Sequence, residues 1–280
     1  MDILQRAVLV AMLVFVLSSM LAMGLGLTVA QIIAPLRNGR LVAMSLVANF
    51  LLMPLAAVAL AKMLRLREAL GVGLLLLGAA AGAPFLPTLA QIARGNLAFA
   101  VGLMVLLMVI TVGYLPLVLP ALLPTVTVNS GDIARSLLLL MLLPLAGALA
   151  VNAKLPAAAA RVKPVFDRLS TLGLLLVVFL QVVVNFTNVL SMFGTRGILA
   201  GLLFIALGYG LGWLLGGPTA DTRRVLGLGT AQRNIAAALV VGSQSFSDPD
   251  VVVMVVVVAM VSLLMLMPLS RWLARSNESP

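Results

Sequence analysis

Nine apolar segments recur along the chain, at approximately 7–27, 41–63, 69–93, 97–123, 131–152, 166–190, 197–217, 222–246 and 250–274. Each is long enough to cross a bilayer core of about 30 Å. With 63% of residues apolar and only 9% charged, so much hydrocarbon cannot be enclosed in one soluble core, and lipid has to cover the remainder. The segments are hydrophobic on every side and rich in Leu, Val, Ala and Gly, whereas a membrane barrel would alternate apolar and polar residues at every second position. The expected class is therefore all-α, a polytopic membrane protein of about nine transmembrane helices forming a single membrane domain over 1–280. Its connections are short, with Leu155–Asp167 the longest basic one. The loop around Pro124–Arg135 divides the chain into a first half of four helices, 1–123, and a second half of five, 131–274.

Charge supports membrane topology rather than nucleic acid. The 18 Lys and Arg outnumber the 8 Asp and Glu, but they sit at the ends of apolar runs and form no stripe. Counted over alternate loops with the N-terminus outside, six basic residues face out and eleven face in, which favours an outer N-terminus and a cytoplasmic C-terminus. Lys62, Arg65 and Arg67 run against that split. Absence of Cys and His removes disulfides, thiolate metal sites and imidazole acid–base chemistry. No phosphate-binding loop, nucleophile–base set or zinc spacing occurs, so neither an enzyme nor a cofactor or metal is expected. The first segment has the charge and small residues of a signal peptide (Arg6, Ser18, Ser19, Ala22), but it runs on into Gly24 and Thr28 and is read as a retained helix. The lack of a long targeting segment suggests a bacterial inner membrane.

Two segments are interrupted. The third carries Gly78-Ala-Ala-Ala-Gly82-Ala-Pro84-Phe-Leu-Pro87-Thr88, where Pro84 and Pro87 each remove a backbone donor and Gly82 adds conformational freedom. The eighth carries Gly229-Thr230-Ala-Gln232-Arg233-Asn234. Each is the penultimate helix of its half, and the two run in opposite senses across the membrane. Paired broken helices of opposite sense are the pattern of inverted-repeat transporters, which bind substrate where the breaks meet. The bland alternative is that Gly and Pro are simply common in membrane helices.

Arg233 sharpens the choice, because a guanidinium at bilayer depth costs about 2.5–3.5 kcal/mol on insertion scales and generally faces a cavity or a pathway. All eight acids are assigned to loops or segment ends, so no intramembrane carboxylate is expected to pair with it. Its partners are then backbone carbonyls, side-chain amides such as Asn49, Gln91 or Asn185, or a bound anion. Carbonyls holding the fork permanently, an anion bound by it, or a mixture of the two all remain open. The candidate substrate contacts are Asn49, Thr88, Gln91, Thr230, Gln232, Arg233 and Asn234, with Gly82, Pro84, Pro87 and Gly229 shaping the broken backbone. Thr111, Tyr114 and Asn185 are assigned to helix packing, and Ser243 and Gln244 to an interface near a helix end.

These residues resemble the bile acid:sodium symporter family almost from end to end. Ala22-Met-Gly-Leu-Gly-Leu-Thr28 is similar to the family's Gly-Met-Gly-Leu-Thr helix end, and Ala48-Asn49-Phe50-Leu-Leu-Met53-Pro54 to its Ala-Gln-Phe-x-x-Met-Pro. Leu89-Ala-Gln-Ile-Ala93-Arg94-Gly95-Asn96 resembles its Tyr-Leu-Ala-Arg-Gly-Asn stretch, Pro116 to Pro120 its Pro-Leu-Leu-Thr-Pro, and Gly210 to Gly216 its Gly-Ile-Gly-Tyr-Leu-Leu-Gly. The resemblance implies a core domain around two unwound crossing helices, a panel domain beside it, and transport of organic anions. This chain looks like the nine-helix form, lacking the first panel helix.

Where it departs from the family matters as much. Of the family's sodium-binding Glu-x-Gly-x-Gln-Asn only Asn234 remains, with Gly229 in place of the Glu and Arg233 in place of the Gln. A Ser-Asn pair falls on Leu86 and Pro87, a Ser and a Thr on Ala100 and Met104, and a Gln on Asn49. Sodium needs several oxygen ligands, and most are gone. The expectation is a carrier of small organic anions that works without sodium, with Arg233 as a fixed cation. The alternative from another class is a membrane sensor or binding protein that keeps the fold and does not transport.

Overall fold

Apolar helix formers set the elements, and the breaks fall where proline, glycine or capping residues interrupt them. A computed structural model describes residues 3–123, 129–187 and 194–275. A short helical connection, Val29–Ile33 and Ala34–Arg37, follows the first of the main helices, which are α1 (Ile3–Gly26), α2 (Gly39–Met63), α3 (Glu68–Ala79), α4 (Leu86–Ile92), α5 (Leu97–Leu122) and α6 (Ser130–Lys154). They continue with α7 (Pro156–Val184), α8 (Gly197–Leu215), α9 (Ala220–Ala231), α10 (Ile235–Ser245) and α11 (Pro249–Arg275). No strand occurs among the described residues, and the chain is an all-α polytopic membrane protein. Among the described residues eight spans are long and apolar enough to cross a membrane, counting α9 and α10 as one interrupted rod, and α3 followed by α4 makes a further path. The end of the sixth expected segment, 188–190, and part of the dividing loop, 124–128, lie outside the described residues.

The helices pack in two groups. α1 lies against α6 and α7, while α3 is held between α2 and α11, and α8 packs along α9 and α11. The groups meet where α6 touches α5 and α10, and where α1 touches α10. Gly208 and Gly212 let α9 come close to α8: a Cβ on Gly212 would sit 2.3 Å from the Leu226 carbonyl oxygen, and one on Gly208 would sit 3.0 Å from Ala231 Cα. Small residues four apart on one helix face allow this approach in membranes, where packing rather than water exclusion drives association. Residues 224–242 of the α9–α10 rod are buried throughout, whereas α7 is mostly exposed.

One expected loop is helical. The basic stretch Leu155–Asp167 was expected to connect two spans, but α7 begins at Pro156 and runs unbroken to Val184, leaving only Leu155 between α6 and α7. Pro156 occupies the first turn, where its missing N–H costs nothing, and Ala157 to Ala160 are the strongest helix formers. Asp167 therefore lies within a helix, which corrects the assignment of every acid to a loop or segment end.

Candidate functional site at the crossing of two broken helices

The first break is a short extended stretch, residues 80–85, between α3 and α4. Gly82 adopts φ +82°, and a Cβ there would lie 2.3 Å from the Met108 backbone nitrogen and 2.7 Å from the Met104 carbonyl oxygen, so only glycine fits. Pro84 lies in the following turn, and Pro87 is in the first turn of α4, where a missing donor is harmless. The second break covers Gln232 to Asn234. Gly229, expected at this break, is instead inside α9, where its role is close approach: a Cβ on it would stand 2.9 Å from a Leu86 methyl of the other broken helix.

Broken helices leave orphan backbone groups that have to be satisfied inside the protein. Here the two breaks satisfy one another. The Asn234 N–H donates to the Ala80 oxygen at 3.0 Å, and its Nδ2 donates to the Gly82 oxygen at 3.1 Å. Its Oδ1 caps α10 by accepting from the Ala237 N–H at 3.0 Å. Thr111 on α5 closes the other side, its hydroxyl accepting from the Ala81 N–H and donating to the Ala81 oxygen. Thr111 thus belongs to the crossing as well as to helix packing.

Arg233, 2% exposed, fills what is left. Its Nε donates to the Leu77 oxygen at 2.8 Å and its Nη2 to the Gly78 oxygen at 2.7 Å, both at the C-terminal, electronegative end of α3. Nη1 donates to Asn49 Oδ1 at 2.7 Å and to the Thr230 oxygen at 3.1 Å, and Nη2 donates a second bond to the Asn49 oxygen at 3.4 Å. A guanidinium has five N–H donors, and five bonds are made. All five acceptors are neutral, and no carboxylate pairs with Arg233 among the described residues.

The Asn49 carbonyl is available for a reason written in the sequence. Residues Val47–Leu52 form a π turn in which the Met53 N–H bonds back to Ala48, and the next residue, Pro54, has no N–H to give. Asn49 therefore has no backbone donor from Met53 or Pro54, and Arg233 takes its place. Phe50, which would normally accept from position 54, receives the Tyr114 hydroxyl at 2.5 Å instead. The Asn49 amide is used as fully, its Nδ2 donating to the Ser45 oxygen and to Thr230 Oγ1. Pro54 is the determinant that sequence reasoning missed, although Met53-Pro54 was visible as a motif.

Beside the crossing lies a cavity of about 640 Å³ between the two helix groups. Residues of α1 from Phe15 to Gly26, Leu27 just after it, and residues of α7 from Lys163 to Leu175 form one wall, and Ala83, Pro84, Phe85, Pro87, Thr88, Met104, Gln232, Arg233, Ile235 and Ala236 line the other. Lys163 Nζ and Asp167 Oδ2 are 2.6 Å apart within that lining. A separate groove on the outer flank of α1 and α7 is lined almost wholly by aliphatic residues and glycine, with Arg6 the exception.

Of the residues expected at the crossing, Asn49, Thr230, Arg233 and Asn234 meet in one buried cluster, and Thr88, Gln232 and Arg233 reach the cavity. Gln91 is exposed on α4 and does not line it. Lys163, Asp167, Ser170 and Thr171 were not anticipated there, because the stretch carrying them looked like a loop and the start of a span.

The model of the sodium bile acid symporter family matches residues 11–192, about two thirds of the chain. The chain belongs to the sodium bile acid symporter family. That match takes in α1 to α7, including the first break, and ends before α9 and α10, which carry Arg233. No curated protein matches the chain. Membership in the sodium bile acid symporter family makes it an integral membrane protein of transporter type.

Proposed function

We propose that this chain is a secondary carrier of small organic anions, working by alternating access and without sodium, in which Arg233 permanently supplies the cation at the crossing. The observation that carries this is the five-bonded fork joining α2, α3 and the second break with no acidic partner. A bound cation can leave, but a guanidinium so fixed cannot. The positions where the resemblance sets sodium ligands support the same conclusion. Leu86 packs over Gly229, and the buried Ala100 and Met104 side chains carry no oxygen, so oxygen ligands are few.

Anion binding follows from the cavity's charges. Arg233, Lys163 and Asp167 contribute two positive charges and one negative. The first turn of α10, at Ile235 and Ala236, adds the positive end of a helix dipole. Such a site suits a monoanion with an apolar body against Phe15, Met23, Phe85 and Leu174. Gln232, Thr88 and Lys163 contact the substrate in this account, whereas Asn49, Thr230, Asn234 and the Arg233 fork build the frame. Gln91, exposed outside the lining, stands at the approach.

The transport cycle moves α1, α6 and α7, the panel, against the remaining helices, the core. The halves 1–123 and 131–274 form an inverted repeat in which the broken helices α3–α4 and α9–α10 correspond. The basic-residue split orients the N-terminus outward and the C-terminus to the cytoplasm.

Proteoliposomes containing the purified chain test this directly. Uptake of a labelled monocarboxylate is expected to be equal in sodium and choline buffers and to show counterflow. Strict dependence on sodium would overturn the fixed-cation account, and saturable binding without counterflow would make the chain a binding protein.

A further inference from the structure

A hydroxyl on a membrane helix has no need of a partner outside that helix, because a carbonyl one turn back can accept from it. Ser18, Ser45, Thr171 and Ser262 all use that solution, each donating to an oxygen three or four residues earlier. Two serines on the cavity wall do not. Ser19 of α1 and Ser170 of α7 both line the cavity, and neither side chain makes a hydrogen bond among the described residues. Ser19 is only 5% exposed, yet its Oγ is not sealed in the way the unpartnered oxygens of Gln232 and Ser270 are. The surface it keeps opens on the cavity it lines.

The two serines stand at one level of the wall. A Cβ on Gly173 would lie 3.0 Å from Phe15 Cα, and one on Gly26 would lie 2.5 Å from Lys163 Cε, so these two pairs touch across the seam of α1 and α7. They fix an antiparallel register. Counted from either contact, Ser19 falls opposite residues 169 to 170. Along α7, Lys163, Asp167, Ser170 and Leu174 recur at steps of four, three and four, which is one helix face, and that face lines the cavity. Lys163 and Ser170 are seven residues apart, about 10 Å along the axis. The Lys163 and Asp167 side chains are 39% and 48% exposed, so the charged pair lies towards the mouth and the serines lie deeper.

Resting on the anion-carrier account above, we propose that Ser19 and Ser170 form a second subsite, which hydrogen-bonds an uncharged polar group of the substrate about 10 Å from the anionic group held beside Lys163. Each serine offers one donor and accepts as well, so the group is a hydroxyl or a carbonyl. The substrate class is then a monoanion with a polar far end, and Ala22 and Met23 line the same wall with apolar surface for the chain between. Alanine would serve the helices better at both positions, since a hydroxyl bonded to nothing in the protein adds nothing to its stability. A ligand group gives those hydroxyls their use.

Octanoate and 8-hydroxyoctanoate test this, because they differ by one hydroxyl and the extended chain covers about the required distance. Each is titrated calorimetrically, without sodium, into the full chain in lipid nanodiscs, with empty nanodiscs subtracted. Relative to the parent, the preference for 8-hydroxyoctanoate over octanoate is expected to fall at least roughly fivefold in Ser19→Ala/Ser170→Ala, entirely through weaker binding of the hydroxylated probe. Either single variant should lose part of it. The unfolding temperature of the paired variant without ligand is expected to stay within about 2 °C of the parent. A preference unchanged in the paired variant, an equal loss for both probes, or a marked fall in unfolding temperature would each overturn the assignment. Failure of both probes to bind the parent would instead refute the anion-carrier account beneath it.

Discussion

Replacing Arg233 with Lys separates charge from geometry at the crossing. The lysine keeps the cation but offers three donors on one nitrogen, whereas the fork now satisfies five acceptors: the carbonyls of Asn49, Leu77, Gly78 and Thr230, and Asn49 Oδ1. The Leu77 oxygen also accepts from the Ala80 N–H at 3.2 Å, so four acceptors depend on the fork and at least one is left unpaired by lysine. At about 1–3 kcal/mol for a buried group left unsatisfied, Arg233→Lys should destabilise the protein by at least about 1–3 kcal/mol. At roughly 2 °C per kcal/mol for a chain of this size, the unfolding temperature should fall by at least roughly 2–6 °C. Thermal unfolding in detergent, followed by circular dichroism at the helix band, reads this directly, with Arg233→Ala as the reference for full loss. If a positive charge were all the crossing required, Lys would behave like Arg. An unfolding temperature for Arg233→Lys within about 2 °C of the parent, alongside a large drop for Arg233→Ala, would refute the argument from the fork.

The remaining predictions follow from single contacts. Gly82→Ala places a methyl 2.3 Å from the Met108 nitrogen at a left-handed φ, so α5 must move away, and the expected result is loss of the monodisperse folded peak in size-exclusion chromatography. Asp167→Asn releases Lys163 from its ion pair within the cavity wall. Both side chains of that pair are partly exposed, so the gain in monoanion affinity should be modest, at most about fivefold in Kd, and should shrink as salt is raised. Unchanged affinity at low salt would show that Lys163 does not meet the substrate.

Much of the fold was legible because lipid imposes a length. A helical stretch that faces lipid has to keep its backbone hydrogen bonds within itself and stay long enough to cross, and α1, α5, α8 and α11 fall close to the segments read from hydrophobicity alone. The start of α7 was not legible, because hydrophobicity marks where lipid begins and not where the helix does. Ala157 to Ala160 and the residues through Asp167 are helical outside the apolar window, and that extension brings Lys163 and Asp167 to the cavity. The second break was also placed too early. Gly229 looked like a breaker, but a glycine inside a buried membrane helix serves equally as a contact surface, and its neighbour Leu86 is remote in sequence.

The sequence by itself determined that this chain is a bundle of membrane helices with two interrupted rods and an arginine in one of them. Those conclusions rest on local quantities: the length of an apolar run, the donor missing from each proline and the charge of a side chain. Only the tertiary structure decided what that arginine does. Its acceptors come from α2, the end of α3 and its own break, segments far apart in the chain, and no local pattern counts the carbonyls they leave unpaired. The same packing closes the fork on protein groups and brings Lys163 and Asp167 of α7 to the cavity beside it, a meeting of distant segments that no local pattern records.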